Sequence, residues 1–205
     1  MRASMSKRRR IKGMAMAMVL VILTSLFGAL SPQSTYASGE GITYYVDSQG
    51  GSDDNDGKSP STPWKSLSKV NEMTFQPGDR ILLKAGSEWT GEQLAPKGSG
   101  ADGSPITIDK YGEGPKPKLN GAGAVESVVS FYNQQYWDVR NLEITNTAPG
   151  APDDPSQLGD FRGIHVAGQD GGELKHFYLS DLFVHDVTGW DKWISGSSAD
   201  DEPGS

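Results

Sequence analysis

The chain has 205 residues, a formal net charge of −7 and no cysteine. The absence of cysteine excludes disulfides, thiol chemistry and cysteine-ligated metals. The acidic balance argues against binding to nucleic acid or to anionic membrane surfaces, because both require basic patches.

Residues 1–37 have the three-part layout of a secretory signal peptide. A basic start around Arg8 is followed by an apolar run from Met14 to Leu30, and Thr35 and Ala37 occupy the small-residue positions of a cleavage site. The alternative is a membrane anchor, although the run is at the short end for a span of ~20 residues. Removal of this segment takes away six basic and no acidic residues, so the net charge changes from −7 to −13.

Residues 38–79 are predicted to form an N-terminal strand, a turn and a capping helix. Ile42–Val46 reads as a strand, and Gly50–Gly57 reads as a tight turn rich in Gly and Asp. Pro63–Met73 has helical spacing, with Thr62 as a plausible N-cap before a proline at the first helical position. Such a helix would close the open end of a stacked repeat, which otherwise exposes its core and strand edges.

The acidic turn raises the question of a calcium site. An EF-hand-like loop needs Asp where Ser52 stands and Glu where Pro63 stands, so the pattern fails at both anchor positions. A looser oxygen cage from Asp53, Asp54 and Asp56 is an open alternative. No other cofactor is evident from the sequence.

Short apolar segments recur between residues 80 and 190, the region predicted to form repeated coils. They are rich in β-branched and aromatic residues and are separated by Gly, Pro, Asn and Asp, which is typical of strands and turns. These segments are Arg80–Lys84, Pro105–Tyr111, Ser127–Tyr132, Tyr136–Thr145, Gly163–Gly168 and His176–Val187.

Two of these segments repeat at an offset of 40 residues. Trp137–Asn146 aligns with Phe177–Asp186, with apolar residues on apolar residues and Asn or Asp on Asn or Asp. Ile164 lies midway between Ile144 and Val184, so the three residues form a series with a step of 20. The series predicts coils of about 20 residues whose equivalent residues lie ~4.8 Å apart in one inward ladder.

The alternation of apolar residues breaks between Val139 and Leu142, which predicts a bend at Arg140–Asn141 between two strands. Asn141 and the matching Asp181 suit a bend, because Asn and Asp tolerate the left-handed backbone conformation. Stacked coils with matched bends predict a parallel β-helix. A β-sandwich also contains short strands, but it does not explain the matched bends.

Four stretches of the chain resemble the right-handed parallel β-helix proteins of the pectate lyase-like superfamily. They read "YYVDSQGGSDDNDGKSPSTPWKSLSKVN", "QPGDRILLKAGSEW", "GSPITIDKYGEGPKPKLNG" and "YWDVRNLEITN", within Ile42 to Gly189. The resemblance implies an all-β, right-handed parallel β-helix (a solenoid) with a short N-terminal capping helix. It is less specific for activity, because the superfamily contains polysaccharide lyases, glycoside hydrolases, epimerases and glycan binders.

Outward positions beside the predicted ladder supply the candidate catalytic residues. His165 and His185 would be stacked neighbours ~4.8 Å apart on adjacent coils. Arg162 and Asp186 would lie beside them, and a histidine pair with such neighbours suits acid–base chemistry near neutral pH. Ordinary exposed ladder residues on a solvated face are the alternative.

Further residues suit particular reactions by type alone. Glu143 and Trp190 are candidate substrate-binding residues. In a lyase, Arg162, Lys175 or a calcium ion would neutralise a uronate carboxylate. A hydrolase would need two carboxylates, for which Asp181 and Asp186 are candidates by residue type.

We therefore expect a secreted, extracellular protein that acts on a polysaccharide as a polysaccharide lyase or a glycoside hydrolase. The alternative is a non-catalytic carbohydrate-binding or surface module, since fold alone does not fix function. Residues 191–205 form a polar tail without a strand pattern, which indicates a truncated end with further coils missing. We expect a monomer with no nucleic-acid partner and no membrane partner after signal removal.

Overall fold

The computed structural model describes residues 41–148, 150, 159–169 and 173–189. The chain divides into two units, Met1–Ala37 and Ser38–Ser205, and all described residues belong to the second. The predicted signal peptide, Trp190 and the predicted polar tail lie outside the described residues. Within the described ranges, no helix is long and apolar enough to cross a membrane.

Strands dominate the described chain, with one short helix, α1, at Leu67–Glu72. The strands are β1 (Thr43–Val46), β2 (Thr74–Phe75), β3 (Arg80–Lys84), β4 (Glu88–Thr90), β5 (Lys97–Gly98), β6 (Ile106–Tyr111), β7 (Lys118–Asn120), β8 (Ser127–Tyr132), β9 (Trp137–Arg140), β10 (Glu143–Asn146), β11 (Arg162–Ala167), β12 (Phe177–Ser180) and β13 (Phe183–Val187).

The strands form three parallel sheets that wind around a common core. The first sheet has the order β1-β3-β6-β9-β12, the second has β4-β7-β10-β13, and the third contains β8 and β11. A two-stranded pair, β2-β5, lies beside them. From β6 onward each strand pairs with the strand three places later, so one coil contains one strand of each main sheet. The predicted all-β parallel solenoid is confirmed.

The 40-residue offset is confirmed, but the 20-residue step is wrong. Glu143 pairs with Phe183, and Ile144 pairs with Val184. Ile164 pairs instead with Val129 in the third sheet. Each coil has three strands rather than two. Paired residues on successive strands of the first two sheets are therefore 25 to 40 positions apart in the sequence.

The bend between the first and second sheets is confirmed. Asn141 and Asp181 adopt the left-handed conformation, with φ of 55° and 52°. The predicted match of Asn146 with Asp186 is wrong by one position, because Asn146 pairs with Val187. The register shifts at this point, and Asp186 has a φ of 49°, as expected for a β-bulge with one extra residue.

The core is filled by inward side chains from all three sheets, because successive residues of a strand point to opposite faces. Its largest fully buried side chains are Trp89, Trp137, Phe75, Phe131, Leu67, Ile81, Leu83, Leu94, Ile106, Ile108, Leu119 and Leu142.

The side chain of Asn146 is fully buried, and both its oxygen and its nitrogen form hydrogen bonds. Its Oδ1 accepts a hydrogen bond from Gly123 N at 3.0 Å, and its Nδ2 donates to the carbonyls of Val125 at 3.0 Å and Arg162 at 3.2 Å. A Cβ on Gly121 would lie 2.2 Å from Asn146 Oδ1, so only glycine fits there. The side chain therefore joins β10 to the segment before β8 and to the first residue of β11.

The helix begins four residues later than predicted. Ser66 is the N-cap, and its Oγ accepts a hydrogen bond from Lys69 N at 3.0 Å, so Thr62 is not the cap. Trp64 is held in an extended bridge with Val46, which prevents a helical start at Pro63. The helix nevertheless buries its apolar face in the core, as predicted for a capping helix.

The acidic turn is held together by its own carboxylates. Asp53 Oδ1 accepts hydrogen bonds from Lys65 N at 2.8 Å and Ser66 N at 3.0 Å. Burial raises the pKa of Asp53, but these hydrogen bonds outweigh it and lower the pKa. Asp56 accepts from Lys58 N and Thr62 Oγ1, and the same bonds lower its pKa. Within the described residues, no group of three or more His, Cys, Asp or Glu is arranged to hold a metal ion.

Asn146→Ala is expected to destabilise the fold by about 3 kcal/mol, because buried backbone groups lose their partners. Asn120→Ala, on the outer face of β7, is the control and should cost about 1 kcal/mol or less. Denaturant unfolding measures both free energies. Equal losses for the two variants would show that Asn146 does not join the coils as described.

Tyr111→Phe is expected to leave the stability at neutral pH unchanged or slightly higher. The Tyr111 hydroxyl is buried and has no hydrogen-bond partner among the described residues, so its removal costs nothing. Burial, followed by the charges of Asp47 and Tyr45, raises the pKa of Tyr111 to about 12 from 10.0. The unfolded state therefore loses this proton first, and stability falls as the pH rises through this window.

Unfolding at several alkaline pH values tests this expectation, with the exposed Tyr132 changed to Phe as the control. The Tyr111→Phe variant should lose less stability between about pH 10 and about pH 12 than the unmodified protein. An identical alkaline loss in both proteins would contradict the expectation.

Candidate functional site

A row of outward side chains crosses the second sheet. Glu88, Lys118, Glu143 and Phe183 are successive Cα partners on its four strands. The residue that follows each of them points inward, as the burial of Leu119 illustrates. Each coil therefore contributes one side chain to a continuous polar and aromatic stripe on the outer surface.

Two residues of the stripe belong to a connected polar group, the His185 cluster, defined as Lys118, Glu143, His185 and Asp186. His185 Nε2 lies 3.3 Å from Glu143 Oε1, and His185 Nδ1 lies 2.9 Å from Asp186 Oδ2. Lys118 Nζ lies 3.4 Å from the same Glu143 oxygen. The Phe183 ring stacks on the imidazole, with centroids 4.0 Å apart.

The β-bulge explains how two consecutive residues reach the same face. Val184 pairs with Ile144, and Val187 pairs with Asn146, so two residues of β13 occupy the space of one residue of β10. His185 and Asp186 both lie in this space, and their side chains meet. In a regular strand, the side chains of His185 and Asp186 would point to opposite faces. The bulge instead places the Asp186 carboxylate beside the His185 imidazole.

The His185 cluster has the components of acid–base chemistry on a partly exposed surface. The side chains of Glu143, Lys118 and His185 are each between a quarter and a third exposed. An imidazolium donates from both nitrogens, whereas a neutral imidazole donates from one and accepts at the other. A histidine between two carboxylates is therefore able to take up or release a proton at this face.

The predicted stacking of His165 on His185 is wrong. His165 pairs with Ser130 in the third sheet, whereas His185 belongs to the second sheet. Arg162 also lies in the third sheet, where it forms ion pairs with Glu126 and Asp160. The contacts of His185 thus bring together Asp186 and Glu143 from the predicted set, but neither His165 nor Arg162.

The remaining candidates have structural partners or lie elsewhere. Asp181 sits at the bend, where its carbonyl accepts a hydrogen bond from Lys116 Nζ at 2.6 Å. Lys175 Nζ lies 4.0 Å from Glu173 Oε2 on an exposed surface. Trp190 lies outside the described residues.

A second group of titratable residues, on the first sheet, was not predicted. Asp138 is buried, and its Oδ1 lies 2.8 Å from His176 Nε2. Arg140 Nη2 donates to Asp138 Oδ2 at 2.7 Å, and this hydrogen bond raises the pKa of Arg140. The sequence held a signal for this group, because Asp138 and Arg140 alternate with the inward Trp137 and Val139.

No protein-family model matches the chain. Among curated proteins, the lacto-N-biosidase of Bifidobacterium longum subsp. longum is 30% identical over an alignment 224 residues long, gaps included. The alignment covers 86% of this chain and 14% of that protein. The alpha-1,3-galactosidase A of Akkermansia muciniphila is 32% identical over 76 residues, which cover 37% of this chain and 12% of that protein.

Solved structures show the same similarity. The GH136 lacto-N-biosidase from Eubacterium ramulus, in its native and selenomethionine crystal structures, matches with a TM-score of 0.63 and 34% sequence identity. The match covers 72% of this chain and 27% of that chain. This chain therefore spans about a quarter of the solved enzyme and is similar to glycoside hydrolases with parallel β architecture.

His185→Ala is expected to change the free energy of unfolding by about 1 kcal/mol or less, because its contacts with Glu143 and Asp186 are partly exposed. His165→Ala on the third sheet is the matched control. Thermal and denaturant unfolding measure both. A loss above about 2 kcal/mol for His185→Ala alone would assign His185 a structural role and weaken the case for a site.

Proposed function

We propose that this chain forms part of an exported glycoside hydrolase that acts on an extracellular glycan. The observation that carries the proposal is the match to the Eubacterium ramulus lacto-N-biosidase, at 34% identity and a TM-score of 0.63 over 72% of the chain. The chain spans only part of that enzyme, so the activity belongs to the whole protein. Export is supported by the signal-peptide layout of residues 1–37.

Hydrolysis is favoured over elimination by the proteins to which the chain is similar. The two curated relatives are named as a lacto-N-biosidase and an alpha-1,3-galactosidase, which are glycosidases. Glycosidases use a pair of carboxyl groups, one as the acid and the other as the base or nucleophile. The second sheet offers Glu143 and Asp186 on either side of His185. Such chemistry requires no cofactor, so we propose that turnover persists in the presence of a calcium chelator.

We assign the outer face of the second sheet, centred on the His185 cluster, to contact with the glycan. Lys118 and Glu143 supply charged hydrogen-bonding groups. Phe183 supplies an exposed aromatic ring, and aromatic rings offer flat apolar surface to a sugar. His165 and Arg162 fall outside this assignment because they belong to the third sheet.

We also propose that further coils continue the solenoid in the whole protein. The inward ladder residues Leu179 and Val184 are each 44% exposed, whereas their partners Val139 and Ile144 are fully buried. A following coil would bury these side chains and pair the outer edges of β12 and β13, as each earlier coil does for its predecessor. The relatives are long enough to supply such coils.

The direct test incubates the whole protein that contains this chain with neutral and acidic glycans. Hydrolysis creates new reducing ends, whereas elimination creates unsaturated sugars that absorb in the ultraviolet. We expect reducing ends without ultraviolet absorption, with or without chelator. Ultraviolet-absorbing products would contradict the proposal, and so would the absence of turnover across the panel.

The site assignment is tested by Glu143→Gln and His185→Ala in the same protein. Loss of a group that transfers protons in the transition state should lower kcat/KM by about a hundredfold or more. His165→Ala is the control and should retain the activity. Full activity in both cluster variants would move the catalytic centre away from the second sheet without affecting the assignment as a hydrolase.

A further inference from the structure

The first sheet carries an aromatic and polar group that the proposed hydrolytic site does not use. This group, the Asp138 cluster, consists of Tyr136, Asp138, Arg140, His176 and Tyr178. Asp138 and Tyr178 are Cα partners on β9 and β12, and both point outward because their neighbours Trp137 and Phe177 pack in the core. The cluster therefore lies on a different sheet from the His185 cluster.

Asp138 fixes the geometry of this cluster. One carboxylate oxygen bonds His176 Nε2 at 2.8 Å, and the other accepts from Arg140 Nη2 at 2.7 Å. Only 9% of its side chain is exposed, while 46% of the His176 side chain and 42% of the Arg140 side chain are exposed. A buried anion thus orients two polar side chains whose outer surfaces remain open to solvent.

Two flat stacks flank Asp138. The rings of Tyr136 and His176 are nearly parallel, at 16° with centroids 5.9 Å apart. The Arg140 guanidinium lies 5.1 Å from the centroid of the Tyr178 ring, and Tyr178 is 50% exposed. Both stacks present planar groups at the surface, beside polar atoms held in fixed positions.

One donor in the cluster is left without a partner. Arg140 Nε is buried and makes no hydrogen bond to any described residue. A buried donor without a partner costs free energy, which the described contacts of the cluster do not offset.

We propose that the Asp138 cluster binds a neutral sugar ring of a glycan, separately from the hydrolytic site. The apolar face of a hexose matches the exposed aromatic ring of Tyr178, while its hydroxyl groups match the donors of Arg140 and His176. Asp138 already compensates the charge of Arg140, so the cluster offers little net charge to an acidic sugar. The ligand class is therefore a neutral glycan rather than a uronate or phosphate.

The experiment is a titration of the protein with lactose, cellobiose and polygalacturonate oligomers, followed by calorimetry and by saturation-transfer NMR. We expect millimolar binding of at least one neutral disaccharide, with saturation transfer to its ring protons. The acidic oligomers should bind more weakly. Preference for the acidic oligomers, or no binding of either neutral disaccharide, would overturn the proposal.

Matched variants locate the binding on the first sheet. Tyr178→Ala should weaken binding about tenfold, which corresponds to ~1.4 kcal/mol. Tyr178→Phe keeps the ring and should retain binding, and it also guards against a folding defect in the alanine variant. Tyr132→Ala removes a tyrosine of similar exposure, 57% against 50% for Tyr178, from the third sheet. This variant should bind like the unmodified protein. Equal affinity of the Tyr178→Ala and Tyr132→Ala variants would overturn the proposal.

The same titrations separate this proposal from the proposed hydrolysis. Tyr178→Ala in the whole protein should retain the hydrolysis of a small soluble substrate, because the Asp138 cluster and the His185 cluster lie on different sheets. A protein that binds but does not hydrolyse would refute only the proposed hydrolysis. Parallel loss of binding and hydrolysis in Tyr178→Ala would merge the two surfaces into one site and overturn the separate role of the Asp138 cluster.

Discussion

Parallel pairing between successive coils is the constraint on which the rest of the molecule depends. Each strand pairs with the equivalent strand of the next coil, as Ile144 does with Val184 forty residues later. This register decides which side chains enter the core and which line up on the outer faces. Glu143 and His185 meet only because their strands are neighbours in one sheet, and Asp138 meets His176 because β9 and β12 are neighbours in another.

Much of the fold could be predicted from alternation and turn chemistry alone. Arg80–Lys84 and Ser127–Tyr132 are strands with the bounds that the apolar pattern indicates. The Asn and Asp at the bends adopt the left-handed conformation that their side chains tolerate. The number of strands in a coil was not readable, because an inward residue such as Ile164 is apolar whichever sheet it belongs to.

The site was predictable only in part, for a reason that lies in the bulge. Val139 and Leu142 are separated by a bend, whereas Val184 and Val187 are separated by a bulge, and both pairs show the same three-residue spacing. The sequence alone does not distinguish a bend from a bulge. It therefore predicts that Asp186 and Glu143 lie near His185, but it does not show that a bulge brings them together. The 20-residue step places His165 in the ladder of the second sheet. His165 belongs instead to the third sheet, where it pairs with Ser130.

The coil register is the central claim, and engineered disulfides test it directly because the chain has no native cysteine. Glu143 and Phe183 are Cα partners on adjacent coils, within the separation that a disulfide spans. Cysteines at these two positions should form an intramolecular disulfide under mild oxidation. Cysteines at Thr145 and His165, which a 20-residue step would make neighbours, should remain reduced because His165 pairs with Ser130. Efficient oxidation of the second pair with none of the first would contradict the three-strand coil.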